Sequence, residues 1–374
     1  MSQEKITGWQ LWLLMIPYIL STEILSVPAI MAKFAECDAW LAVIPSSVTG
    51  FWSIFVLTAL ARRYPELTII EYSSKIIGKW PTKILEFYLS FIFFTYVTVQ
   101  NYEHFGFVTD IELQKTPSLI INGIFLLVCG WIVYEGIEGI GRCSEVIVPF
   151  VLIFTFLFSL ISLPNADITR LQPILEHGFS PVLRAAIVPS GWMGEFFCIG
   201  FLLPYLDRPE KGRILSILAI FTVIVVTMLV NSLTVAVLGD MTSQLAYPVF
   251  TITQYVSIAD FLQNVDAFVV GLWTVGIFIK LSISLFLLCV CVTKCFGSLN
   301  YRVFILPLIL LSVIGTQIVR DTTNLNEFLI YTFPFASIVT CNLLPTALFV
   351  VDSIKRRAKK NAFPFNIMKP PQPN

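Results

Sequence analysis

Apolar runs of about 20 residues recur along almost the whole chain, and that recurrence leaves it one kind of fold. A run of this length crosses a hydrocarbon core, where no water reaches the backbone. Each must therefore satisfy its own hydrogen bonds as a helix, and the runs are too long for barrel strands. Ten spans are read: 8–33, 39–61, 84–108, 117–135, 143–163, 181–206, 212–238, 266–291, 301–318 and 328–352. Only 13% of residues are charged, against roughly 25% in a soluble domain, which excludes an ordinary soluble enzyme. Zero net charge gives no case for nucleic-acid binding through a global field. GIEGIG at 136–141 lacks the strand that a dinucleotide site needs, and no P-loop, zinc motif or nucleophile elbow occurs. No catalytic residue, cofactor or metal is expected.

Lys and Arg set the orientation. With the N-terminus inside, the inside segments hold 18 of them and the outside segments 5, leaving Lys280 within a span. That bias predicts cytoplasmic termini at both ends. The first span lacks a basic leader and a small-residue cleavage site and is expected to be retained. Residues 65–80 read as a short amphipathic helix inside, 165–182 as an outside loop with a short helix, and 240–262 as an outside helix over the bundle mouth. Residues 1–360 form a single transmembrane domain, and the proline-rich tail 361–374 is expected to be disordered in the cytoplasm.

Ten spans divide into two halves of five, 8–163 and 181–352. The first starts inside and the second outside, so they are inverted. Pro17-x5-Glu23 in span 1 returns as Pro189-x5-Glu195 in span 6, offset by 172 residues. Prolines in matching spans point to broken helices around a binding site at the bilayer midplane. Helix 1 is expected to stop near Leu20 and restart near Glu23, with Ser21 and Thr22 bonding the freed backbone. Pro189, Gly191 and Gly194 predict a second unwound stretch in helix 6.

Glu23, Glu195 and Lys280 fall near mid-depth, where each charge costs roughly 2.5–3.5 kcal/mol on an insertion scale. Two readings stand side by side: a structural ion pair between Lys280 and one Glu, or groups facing a ligand. One lysine cannot neutralise two glutamates, so one Glu is expected to be protonated or ligand-facing. Tyr96, Gln100 and Glu103 share one face of span 3, with Glu103 and His104 placed nearer a solvated mouth. His177 reads as a solvated loop residue. The candidate ligand-binding set is Ser21, Thr22, Glu23, Tyr96, Gln100, Trp192, Gly194, Glu195, Lys280 and Ser284.

The segments ITGWQLWLLMIP, EILSVPAI, PELTIIEYSSKIIGKWPTKIL, GEFF with LLPYLDRPEK, AYPVF and LWTVGIFIK, in this order, carry a resemblance over nearly the whole chain. It resembles the B subunits of bacterial spore germinant receptors, the GerAB family of the amino acid–polyamine–organocation transporter superfamily. The resemblance implies an all-α integral membrane protein with ten transmembrane helices in a 5+5 inverted repeat (LeuT-like), helices 1 and 6 being broken. It implies a small nutrient germinant, amino-acid or nucleoside-like, bound between helices 1, 3, 6 and 8. It also implies partnership with A and C subunits in the spore inner membrane. The alternative is an ion-coupled secondary transporter of amino acids or related solutes. One departure stands out: the superfamily's helix-1 break is glycine-rich, whereas Leu20-Ser21-Thr22-Glu23 holds no glycine.

Overall fold

The computed structural model describes residues 4–111, 113, 115–255, 265–298 and 300–362. Among the described residues, eight helical runs are long and apolar enough to cross a membrane. Two of them double back. The run Gly8–Arg63 reverses after α1 (Gly8–Ala35), where Glu36 takes a positive φ of 48°, and returns as α2 (Val43–Arg63). In the run Ser118–Asn165, which contains α5 (Ser118–Ser162), the helix breaks at Gly136 (φ 88°, ψ −176°). The Glu4 carboxylate sits where a Cβ at Gly136 would be, so only glycine suits both the turn and the contact. GIEGIG is therefore a reversal between spans 4 and 5.

The remaining elements are α3 (Ile69–Ile77), α4 (Lys79–Ile111), α6 (Ser180–Gly194), α7 (Gly212–Leu238), α8 (Pro248–Tyr255), α9 (Val265–Phe296) and α10 (Ile305–Thr322). A C-terminal run follows from Leu325 to Ala358. Helix starts are written locally. Thr7 accepts from the Gln10 N–H at 3.1 Å while Gln10 Oε1 accepts from the Thr7 N–H at 2.9 Å. Thr68 and Glu71 repeat this reciprocal cap at α3. That helix is amphipathic as read from 65–80, burying Ile69, Ile70 and Ile76. A short 3-10 helix, Ile168–Leu171, lies in 165–182, and α8 lies in 240–262. Positions 256–262 of that stretch, and 363–374 of the tail, lie outside the described residues.

α1 and α6 form the core. The most apolar stretch of the run holding α6 is 94% buried, against 17% in the run holding α5. The buried helices pack against α2, α7 and α9, whereas α5 and α10 turn most of their apolar side chains outward, as a lipid-facing surface does. One end of the bundle is tied by short-range bonds. The Ile6 N–H donates to the Tyr205 carbonyl at 2.8 Å and the Asp207 N–H to the Ile6 carbonyl at 3.0 Å. Arg63 pairs with Asp352 at 2.7 Å, and Arg302 with Glu4 at 3.1 Å.

Two expectations are corrected. Helix 1 is continuous from Gly8 to Ala35 despite Pro17 and Pro28. Ser21 Oγ donates to the Pro17 carbonyl at 2.7 Å, and the Trp273 indole N–H donates to the Ser21 carbonyl, whereas the carbonyls that Pro17 and Pro28 leave without a helical donor are those of Leu13 and Ile24. Prolines are tolerated in membrane helices that pack against neighbouring helices, as α1 does. Helix 6 does not unwind. It tightens to a 3-10 turn over Glu195–Cys198 and resumes as α-helix at Ile199–Leu202. Gly191 and Gly194 serve packing: a Cβ on Gly191 would meet Pro334 Cα at 3.0 Å, and one on Gly194 would meet Ser337 Oγ at 3.0 Å. The C-terminal run that presses on them has π-helical turns at Phe328–Thr332 and Ile338–Leu343, a distortion common at functional sites.

Candidate ligand site

Where α1, α4, α9, the end of helix 6 and the C-terminal run converge, their side chains line a cavity of about 20 Å³, room for about one water. Its wall comprises Thr22, Thr95, Tyr96, Val99, Gln100, Glu103, Trp192, Glu195, Lys280, Phe328, Leu329 and Phe333. The ion pair at its base is closed off from solvent. Lys280 Nζ donates to Glu195 Oε2 at 2.7 Å and to Thr22 Oγ1 at 2.8 Å, with both charged side chains 1% exposed. Such a pair holds only with good geometry and further bonds, and Thr22 supplies one. The Trp192 indole N–H donates to the same hydroxyl at 2.8 Å. Tyr18 brings its ring within 5.5 Å of Lys280 Nζ. Phe333 packs on Trp192 at 4.4 Å and on Tyr96 at 5.9 Å between ring centres.

Six of the ten candidate residues line this cavity: Thr22, Tyr96, Gln100, Trp192, Glu195 and Lys280. Four do not. Ser21 lies on another side of α1, against a separate cavity of about 130 Å³ with mainly apolar walls from α1, α4, α5, α7, α8 and α9. Glu23 is fully buried, with the Thr227 hydroxyl of α7 as its neighbouring donor but no donor within 3.5 Å of either carboxylate oxygen among the described residues. Successive helix residues are turned by about 100° (3.6 per turn). In a continuous α1, Thr22 faces the cavity and Glu23 faces away. Gly194 packs on Ser337, and Ser284 sits beside Tyr18, outside the cavity wall. Glu103 and His104 are not at a solvated mouth; they are 5% and 2% exposed. His104 stacks on Phe125 at 3.8 Å and faces Trp273 at 5.8 Å.

Sequence reasoning missed Thr95, Val99, Phe328, Leu329 and Phe333 as wall residues. Aromatic and aliphatic side chains in an apolar span give no contrast. Glu103, one turn past Gln100 on the face already singled out, was the legible one.

A transmembrane bundle with a small cavity of mixed polar and aromatic lining defines the class: an integral membrane protein of transporter fold. Three solved structures share that fold. MhsT in complex with L-phenylalanine superimposes with a TM-score of 0.71 at 11% identity, covering 94% of this chain and 89% of that one. A Na+-coupled sialic acid symporter gives 0.65 at 11%, covering 91% and 79%, and Mhp1, a nucleobase-cation-symport-1 family transporter, gives 0.60 at 11%, covering 93% and 78%. Within that class, the chain belongs to the Spore_permease family of spore germination proteins, whose pattern it matches over residues 5–326. Spore germination protein KB of Bacillus subtilis (strain 168) is 24% identical over 372 residues, covering 97% of this chain and 98% of that protein. Spore germination protein YndE of the same strain is 23% identical, covering 96% and 99%.

Proposed function

We propose that this chain is the germinant-sensing membrane subunit of a spore germinant receptor, binding a small solute in the cavity around Thr22, Gln100 and Lys280. The observation that carries the reading is a small cavity within a transporter fold, walled by aromatic rings together with Thr22, Gln100, Glu103, Glu195 and Lys280, in a chain of the spore germination family. The solute acts by binding one bundle arrangement more tightly than another. At about 20 Å³ the cavity must widen to take a solute, so occupancy and rearrangement are linked. The subunit works with A and C partners in the spore inner membrane, both termini facing the cytoplasm, in keeping with the 18-to-5 distribution of Lys and Arg. The test is a germination screen of spores carrying this subunit with its partners. Trp192→Ala should abolish or shift the solute response while leaving the complex assembled. A response identical to that of the parent would remove the cavity from the mechanism.

A second reading has its own observation. Two of the structural neighbours are described as a Na+-coupled symporter and a cation-symport transporter, and this chain buries a carboxyl, Glu23, without a donor within 3.5 Å among the described residues. As an ion-coupled transporter it would accumulate labelled solute in proteoliposomes under an ion gradient. Binding without accumulation assigns it to sensing.

A further inference from the structure

A second cavity, of about 130 Å³, lies where α1, α4, α5, α7, α8 and α9 meet. Small residues leave the space: Ser21 on α1, Ser159 on α5 and Gly276 on α9 stand on its wall among Leu, Ile, Val and Phe side chains. No charged side chain lines it among the described residues. The polar side-chain hydrogens on the wall are committed within the protein. Ser21 Oγ donates to the Pro17 carbonyl at 2.7 Å, Thr155 Oγ1 to the Val151 carbonyl at 2.8 Å and Ser159 Oγ to the Thr155 carbonyl at 2.7 Å. The Trp273 indole N–H donates to the Ser21 carbonyl.

This lining selects its occupant. A charged group would give up its hydration there with no side-chain partner to replace it. A water needs roughly two to four polar partners, and the wall's hydroxyl and indole hydrogens are already spent. An apolar group loses nothing and supplies the dispersion contacts that atoms facing a void lack. Apolar cavities of about 150 Å³ stay dry and take up benzene, so the space here suits a single ring or a short branched chain.

We propose that this cavity is a second ligand site, taking an uncharged hydrocarbon group about the size of benzene, either a free molecule or the end of an acyl chain from the surrounding lipid. The second source has a route. Ile153 and Phe156 of α5 are exposed beside the wall residues Leu152 and Thr155, so the wall and the lipid-facing surface adjoin on one helix. The site goes beyond the sensing reading and does not depend on it. It nevertheless bears on the same helix: Thr22, which holds Lys280 and lines the first cavity, follows Ser21 directly.

The test uses the full chain in lipid nanodiscs and reads the fluorescence of Trp273, which lines the cavity, as the difference between the parent and Trp273→Phe. Bromobenzene, a heavy-atom quencher, should quench it saturably, and benzene should restore it. Benzylammonium should compete only at concentrations roughly tenfold or more above those of benzene. Thr155→Phe and Ser159→Leu replace hydroxyls that bond only their own helix and fill the space from one wall. Each should weaken bromobenzene roughly tenfold or more. Nanodiscs of phosphatidylcholine brominated near the chain ends separate the two sources. Quenching of Trp273 there without bromobenzene, relieved by benzene and absent in Ser159→Leu, assigns the site to an acyl chain. Full fluorescence there, with saturable quenching by bromobenzene, assigns it to a free molecule. Quenching that rises without saturation and is equal in both filled variants, or benzylammonium competing as well as benzene, overturns the site. The ranking of benzene over benzylammonium needs neither filled variant to fold.

Discussion

Glu23 and Glu195 occupy matching places in the two halves of the sequence, each six residues after a proline, and the fold treats them in opposite ways. Glu195 lies at the α-to-3-10 change in helix 6 and holds Lys280 at 2.7 Å. Glu23 lies in an unbroken helix, turned toward α7, with no donor within 3.5 Å of either oxygen among the described residues. The difference teaches that a repeat in the sequence fixes depth but not partnership. One lysine serves the bundle core, and Thr22, one residue before Glu23, takes the place on the cavity side that a broken helix would have shared between both.

The largest effect expected from this contrast follows loss of the lysine. Lys280→Met leaves Glu195 buried without its partner and should cost about 3–5 kcal/mol, read as a lowered melting temperature in nanodiscs. Pairing it with Glu195→Leu removes both charges and should restore most of that stability, while the response to solute stays lost. A single variant as stable as the parent would show that Glu195 carries no buried charge and would break the comparison at its stronger side.

A smaller loss is expected where helix 6 meets the C-terminal run. Gly191→Ala places a methyl group 3.0 Å from Pro334 Cα, and overpacking of this kind costs about 1–3 kcal/mol. A truly unwound segment would absorb the methyl with no loss, so the melting temperature of this variant separates packing from interruption. Glu23→Gln should change stability by less than about 1 kcal/mol, since the only donor facing the carboxyl, the Thr227 hydroxyl, lies beyond 3.5 Å and can serve the amide oxygen equally. A loss of several kcal/mol would reveal that Glu23 is held as firmly as Glu195 and would erase the contrast.

Much of the scaffold was readable in advance because lipid leaves so few options: long apolar runs must be helices. The polar wall was readable for the same reason, since Gln100 and Lys280 stand out against apolar neighbours. What could not be read was azimuth and pitch. Whether Thr22 or Glu23 faces the centre depends on whether α1 stays wound. No local pattern announces the contacts made there, such as the Trp273 indole N–H on the Ser21 carbonyl, arriving from a helix 252 residues away. Gly191 and Gly194 were read as a break because nothing local tells a glycine needed for a turn from one needed for close approach. Phe328 and Phe333 reach the cavity from a run with π-helical turns, which shift the face that a regular period predicts.

The smallest effect sharpens the comparison by moving the same chemistry toward water. Lys294 pairs with Glu71 of α3 at 2.8 Å, but these side chains are 40% and 32% exposed, against 1% for both members of the central pair. Burial raises the Glu71 carboxyl, yet the Lys294 ammonium and the Thr68 hydrogen bonds outweigh it and hold the group below its ordinary value of 4.5. A carboxyl depressed in the folded state contributes stability above its unfolded value and loses it as pH falls through the lowered folded one. The parent should therefore lose its advantage over Glu71→Gln on acidification below about pH 4.5, by no more than about 1 kcal/mol. High salt should shrink that advantage at neutral pH. The cost of Lys280→Met should barely respond to salt, because the pair it disrupts is sealed from the counterions that screen α3. Equal salt sensitivity of the two would mean that solvent reaches the centre of the bundle, and the contrast between its two carboxyls would have to be drawn again from hydration rather than from partners.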